Sequence, residues 1–489
     1  MDDQIYAQPL MVGNFQISGK KHNVLYVATV NNTVYAVDGD DGTVYWSINY
    51  TENGLRTPIA SDMNSGWCTP YQDITNKIGI VGTPVIDTVS STLYFVARST
   101  DGSTFHQFLH AVDLATGVSR SGSPVEIVAS VAGTGDGSSG GHVNFDPRRN
   151  NQRMGLLLVN GTIYISFSSH CDFNPYHGWI LGYDATTLQQ TRVYCNTPNG
   201  EGGGIWQSGM GIVADNSGNL YVVSGNGTVG SPAPYTEYGN GTAEVTPSPD
   251  ATDLSGRAMS AVKLVPSSGN SLQVASYFTP FNYVYSNGND EDYGVIGSFM
   301  IPNSSYYFTA GKDGNVYLLD ANNMGGFNSS SNSVHQVYPV SSSASFHCQP
   351  AYYIGSNVEY AYIWSEYDQL RALPFVRSSG LFSTSISNST VAGPSGSIGA
   401  MISVSSNGTT PSTGIVWVSY ASSGDAGHSS STGILRAFDA NDITHELWNS
   451  EANSGDALGN FAKFSAPTVV NGHVYLATFS KQVVAYGLK

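Results

Sequence analysis

The sequence predicts an all-β chain: an eight-bladed β-propeller of four-stranded antiparallel meanders, with seven blades as the alternative count. Three observations predict it. Residues 24–46 read VLYVATVNNTVYAVDGDDGTVYW, period-2 apolar runs separated by Asn31-Asn32 and by Gly39, Asp40, Asp41 and Gly42, which is the pattern of strands joined by tight turns. The unit recurs, its third strands aligning as YAVD at Tyr35, HAVD at His110, LGYD at Leu181, YLLD at Tyr317 and RAFD at Arg436, with RALP at Arg371 and VAYG at Val484 as degenerate copies. Composition agrees, since 55 Gly and 30 Tyr with only 11% charged residues suit short strands and many turns, not long surface helices. Meanders of this size cannot each bury an apolar face alone, but packed face to face around an axis they share a continuous core.

The reading is one domain, 1–489, with blades near 1–50, 78–125, 152–195, 204–280, 293–340, 345–385, 397–450 and 460–489. Blade one takes 5–12 as its innermost strand, and its Asp38 and Trp46 are read as turn cap and blade packing. A loop over 53–76 carries Trp67 and Cys68. Blade two uses 82–86, 92–97 and 109–113, with Gly117 at the turn, and blade three uses 156–159, 163–167 and 178–184. Blade four is interrupted by a polar insertion over 227–253, read as an exposed loop. Blades five, six and seven repeat the pattern, blade six ending in a short strand near Leu381. Blade eight offers only 466–470, 474–478 and 482–486. It is one strand short, so either the blade is three-stranded, or an upstream segment completes it, or a partner strand or a second copy covers its edge. The Asp ending each third strand is expected to accept backbone N–H bonds from its turn.

A net charge of -17 repels phosphate backbones and excludes nucleic acid as a partner. No apolar stretch reaches 18 residues, so no membrane insertion is expected. Cys68, Cys171, Cys195 and Cys348 form an even set with three possible pairings; Cys171 with Cys195, and Cys68 with Cys348, are the disulfides expected. Sequons at Asn31, Asn49, Asn160, Asn226, Asn240, Asn303, Asn328, Asn388 and Asn407 add the expectation of a secreted or extracellular glycoprotein.

Four stretches could carry chemistry. The segment 169–178 holds His170, Asp172 and His177, borderline ligands for zinc, copper or iron, although their spacing is no known metal signature. His347 beside Cys348 opens blade six and joins them as a metal candidate. The glycine-rich 133–142, with Asp136, could turn backbone groups toward an ion, against the simpler reading of an inter-blade loop. Trp206 and Gln207, in EGGGIWQSG, could stack and orient a sugar, a quinone or an aromatic ligand, and Trp67 is a further ligand candidate. The acidic run 289–292 lacks the spacing of a calcium loop and is read as solvent-exposed. A calcium ion or a transition metal is thus the cofactor left open.

The AxDxxxGxxxW-like repeat, together with IYAQPL at 5–10, GTGDG at 133–137, PYHGW at 175–179, GIWQSG at 204–209 and GKDG at 311–314, resembles the pyrroloquinoline-quinone (PQQ) type propellers. It is most similar to their secreted, quinoprotein-dehydrogenase-like branch. The resemblance implies a propeller over the whole chain, and an N-terminal strand for blade eight. The dehydrogenases of that superfamily resemble one another in adjacent cysteines, a Trp beneath the quinone, a Glu/Asn/Asp calcium set and a catalytic Asp. This chain has no vicinal Cys pair, which argues against PQQ. The leading expectation is a secreted binding or scaffolding protein with a glycan or protein ligand in its axial funnel. A quinone- or metal-dependent oxidoreductase and a self-assembling protein joined through blade eight are the alternatives.

Overall fold

The computed structural model describes residues 1–66, 68–231, 247–340 and 346–487. Trp67 and the Asn240 sequon lie outside the described residues. Antiparallel meanders follow one another along the chain, and they are the blades of a β-propeller. Blade one is Leu10–Ile17, Lys20–Ala28, Thr33–Asp38 and Val44–Asn49, so its inner strand starts five residues later than expected. Blade two is Val85–Asp87, Thr92–Thr100, Phe105–Asp113 and Val125–Glu126. Blade three, in which Asn150–Asn151 also pairs with Thr162–Ser169, and four-stranded blade four keep separate orders but are joined edge to edge by one parallel bridge, Val193 to Ser271. Blades five and seven are plain four-stranded meanders. In blade six the expected strand Leu381–Phe382 is present, and a further strand, Ser387–Ala392, also pairs with Gln369–Val376. Blade eight has three strands among the described residues, Thr468–Val470, His473–Ala477 and Val483–Gly487.

The chain divides into two compact units, 1–127 with 347–489, and 128–346. In the first unit, blades one and two share a core of Val24, Tyr26, Val34, Leu93, Phe95 and Val112. Trp46 donates its indole N–H to Leu114 O at 3.0 Å, which makes it a blade-packing residue as read from the sequence. Blade eight is tied to blade one by Thr468 Oγ1 on Pro9 O, 2.6 Å, and Tyr475 Oη on Gly39 O, 3.0 Å. The Met1 amine bonds Lys481 O at 3.0 Å, and buried Asp3 lies 3.5 Å from the Lys481 ammonium. In the second unit, Tyr221, Val223, Phe278, Tyr307 and Tyr317 form the core between blades four and five.

The third-strand aspartates cap their turns. Asp38 accepts from Asp40 N, Asp113 from Ala115 and Thr116 N, Asp184 from Thr186 and Thr187 N, Asp320 from Asn322 N and Asp439 from Asn441 N, all at 2.7–3.0 Å. These short Asx turns use each carboxylate to satisfy N–H groups that the strand has released. At Asp184 the Thr187 backbone N–H leads in holding the carboxyl below its ordinary range.

Two expectations on covalent chemistry are corrected. Cys68 and Cys171 are disulfide-bonded, whereas Cys195 and Cys348 are buried free thiols. The expected pairs Cys171–Cys195 and Cys68–Cys348 therefore do not form. Burial pushes the Cys195 thiol up to about 12 and raises that of Cys348 as well, so neither supplies a reactive thiolate. A thiol reagent without reductant will label neither cysteine in the native protein and both Cys195 and Cys348 after unfolding, which mass spectrometry of labelled peptides will show. Asn226 is fully buried and donates to Asp290 Oδ1 at 2.9 Å, so its sequon is closed to a glycan in the fold. Asn49, Asn160, Asn303, Asn328, Asn388 and Asn407 are exposed, and Asn31 is half-buried.

Candidate functional site

In an antiparallel meander, the segment entering the first strand and the hairpin joining the second strand to the third lie at the same end of the blade. Every described site candidate sits in such a segment. Asp136 precedes blade three, His170, Asp172 and His177 lie between its second and third strands, Trp206 and Gln207 precede blade four, and His347 precedes blade six. Recurrent loop chemistry at one end of a sheet is where a scaffold fold carries function.

Placed individually, most of these residues serve the fold. His177 is buried, sharing Nδ1 with Thr197 Oγ1 at 3.0 Å and Nε2 with Asp136 O at 2.9 Å. Burial lowers its imidazole below the ordinary value. His170 is buried, and Asp172 accepts the Tyr176 hydroxyl at 2.8 Å. Among the described residues no group of three or more His, Cys, Asp or Glu side chains is placed to hold a metal ion. The expected set His170, Asp172, His177 and His347 therefore does not assemble as a metal centre, because its members are engaged locally. Gln207 is fully buried and donates its amide to Gly211 O and Ser298 Oγ at 3.2 and 3.0 Å. Trp206 is half-buried with the Arg153 guanidinium 5.3 Å from its ring.

The glycine-rich stretch is a hairpin, Ser130–Ala132 with His142–Asn144, followed by close backbone packing. A Cβ on Gly135 would stand 2.5 Å from Gly200 O, and one on Gly178 would stand 1.9 Å from Gly203 O. The glycines let chains approach, and Asp136 uses its backbone N–H to bond Gly200 O at 2.8 Å. The acidic run 289–292 is likewise corrected. Asp292 is buried, and the Lys312 ammonium sits 2.7 Å from its carboxylate and 3.1 Å from that of Asp290. The ammonium already neutralises this acidic pair. With no adjacent cysteines and this acidic pair already neutralised, the residues present do not fit a PQQ–calcium centre.

The residues that do converge are in the first unit, and only His347 among them was singled out from the sequence. Its Nδ1 shares a 2.7 Å hydrogen bond with Glu366 Oε1, and that buried carboxylate also accepts the Ile398 N–H at 2.9 Å. Beside Ile398, Ser397 Oγ donates to Asp425 Oδ1 at 2.6 Å, and Asp425 Oδ1 accepts the Gly427 N–H at 2.8 Å. Asp425 Oδ2 shares a 2.7 Å bond with His428 Nδ1, and His428 Nε2 lies 3.8 Å from Asp73 Oδ1. Burial opposes the charge of Asp425, but the Ser397 and His428 bonds prevail and hold its carboxyl below the ordinary range. The buried Lys463 ammonium donates to Gly427 O. Two imidazole–carboxylate pairs thus stand on one connected polar rim, contributed by the segment entering blade six, the second hairpin of blade six, the segment entering blade seven and the second hairpin of blade seven.

No protein-family model matches the chain, and no curated protein sequence matches it. Among solved structures, the computationally designed Ika8 protein superposes with a TM-score of 0.52 at 9% identity, over 100% of this chain and 97% of that one. A quinohemoprotein alcohol dehydrogenase, ADHIIG from Pseudomonas putida HK5, superposes with a TM-score of 0.50 at 14% identity, over 97% of this chain and 69% of that one. BamB from Moraxella catarrhalis gives 0.48 at 12% identity, over 99% of this chain and 100% of that one. At 9 and 14% identity, the likeness to Ika8 and to the dehydrogenase defines the fold alone.

Proposed function

We propose that this protein is a ligand-binding β-propeller that works outside the cytoplasm, with its ligand seated on the polar rim of the first unit. The observation that carries the reading is the connected network His347–Glu366–Ile398 and Ser397–Asp425–His428. Each carboxylate is held by an imidazole and a backbone N–H, so donors and acceptors stand in fixed places before any ligand arrives. Pre-organised polar groups of this kind reduce the ordering cost of binding. The disulfide at Cys68 and Cys171 supports a non-cytoplasmic setting, and secretion is the simplest route there. The ligand is an extracellular glycan or protein.

Calorimetric titration with soluble extracellular polysaccharides and with secreted proteins tests this. A saturable isotherm is expected, weakened about tenfold by His428→Ala, the loss of one hydrogen-bonding contact. Turnover of alcohols or aldoses with an artificial electron acceptor, after incubation with PQQ and calcium, would overturn the binding reading in favour of an oxidoreductase.

A further inference from the structure

At the tip of the blade-six hairpin, between Glu359–Ile363 and Gln369–Val376, stands Tyr367. It follows Glu366 directly, its side chain is 67% exposed, and its backbone is left-handed at φ 54°. The corresponding hairpins of blades one, five and eight place Asn32, Gly314 and Lys481 in the left-handed position, at φ 63°, 78° and 62°. Glycine or asparagine takes that conformation at little cost, whereas an aromatic side chain is strained there. Burial does not repay the strain, since the ring lies in solvent.

The rest of the hairpin is locked around it. Tyr367 N–H bonds Pro394 O at 2.9 Å. The next residue, Asp368, accepts both arms of Arg371 at 2.8 Å and the Ser365 hydroxyl at 3.2 Å, while its carbonyl accepts the indole N–H of buried Trp364 at 3.0 Å. On the other side, Glu366 is fixed by His347 and the Ile398 N–H. A hydrogen-bonded mount thus presents one exposed aromatic ring on the residue that directly follows Glu366 of the rim.

We propose that Tyr367 is the stacking platform of a carbohydrate subsite that takes a neutral pyranose, its apolar face on the ring and its hydroxyls on the His347–Glu366 and Asp425–His428 pairs. This deepens the binding reading and rests on it. A pyranose has one C–H face and a fringe of hydroxyls that donate and accept together, which matches a ring bordered by both kinds of partner. A basic peptide fits less well, because the Glu366 carboxylate is buried and both carboxylates already accept bonds from a backbone N–H and lie against a histidine. An anionic glycan is disfavoured by the net charge of -17.

The test is titration of the intact protein with neutral β- and α-linked gluco-, manno- and galacto-oligosaccharides, read by calorimetry, for wild type, Tyr367→Gly, Tyr367→Ala and Tyr367→Trp. Binding is expected for at least one neutral series, with a loss of about tenfold in affinity for the Gly and Ala variants. The Trp variant is expected to bind within about threefold of wild type. Thermal melting keeps folding separate, since Tyr367→Gly relieves the left-handed strain and is expected to melt no lower than wild type. If a neutral glycan binds but Tyr367→Ala leaves affinity unchanged, the platform is wrong and the rim reading stands. If only a peptide or protein binds at the rim, the carbohydrate class is overturned and the binding reading survives. If nothing binds there, both fall.

Discussion

Lys312→Met will cost about 3–5 kcal/mol of folding stability, because it leaves a buried carboxylate without its counter-charge. Asp292 carries most of the effect. Its side chain is only 10% exposed, whereas that of Asp290 is 54% exposed and remains solvated. Urea denaturation followed by tryptophan fluorescence will report it as a lower midpoint with an unchanged slope. Adding Asp292→Asn to Lys312→Met will recover part of the loss, since the buried charge is then removed with its partner. Burial opposes the ammonium, but Asp292 and Asp290 overcome it and hold Lys312 well above the ordinary lysine range. As pH climbs, the unfolded chain therefore loses this proton before the folded chain does. The pair's contribution is complete below about pH 10.4 and disappears only as pH rises through the folded-state value. A wild-type midpoint that falls relative to Lys312→Met between pH 6 and pH 9 would contradict the pairing.

His110→Phe will stabilise the protein and make it more tolerant of acid. The His110 ring is buried, stacked on Phe95 at 4.9 Å with the planes 4° apart, and set edge-on to Tyr50. Neither ring nitrogen has a hydrogen-bond partner among the described residues. Burial pushes the imidazole down to about 3. Between that value and about 6.5, the unfolded chain binds a proton that the folded chain refuses, so stability falls with pH. At pH 4.5 this single residue costs about 2–3 kcal/mol relative to neutral pH. Phenylalanine keeps the stack and removes both unpaired nitrogens, with a gain of about 1–3 kcal/mol at pH 7. Melting temperature measured from pH 7 to pH 4.5 will show a shallower decline for the variant. Parallel curves would mean that His110 is hydrated or protonated in the fold.

How far the sequence could be read depends on how local each cause is. The caps at Asp38, Asp113, Asp184, Asp320 and Asp439 were legible because an Asx turn is made by residues two or three apart. The Trp46 packing role was legible because it repeats in register with the blades. Cysteine pairing was not, since it depends on where long loops go; Cys68 and Cys171 lie in two of them. The acidic run at 289–292 looked solvated because Lys312 joins it from the second hairpin of blade five, between Tyr306–Ala310 and Asn315–Asp320. The rim escaped for the same reason. Ser397 and Asp425 are 28 residues apart, and His347 and Glu366 are 19 apart. Its one local signal was negative: the blade-six hairpin reads SEYD where a turn-forming Asn or Gly pair was due.

Hydrogen exchange of the intact protein, with and without a saturating soluble neutral polysaccharide, tests the central claim most directly. Added protection is expected in the hairpin 364–368, in 394–400 and in 422–430, with the rest of the chain unchanged. Protection confined to the loops around His177 or Trp206, or to the edge strand Val483–Gly487, would place the ligand elsewhere and contradict the account.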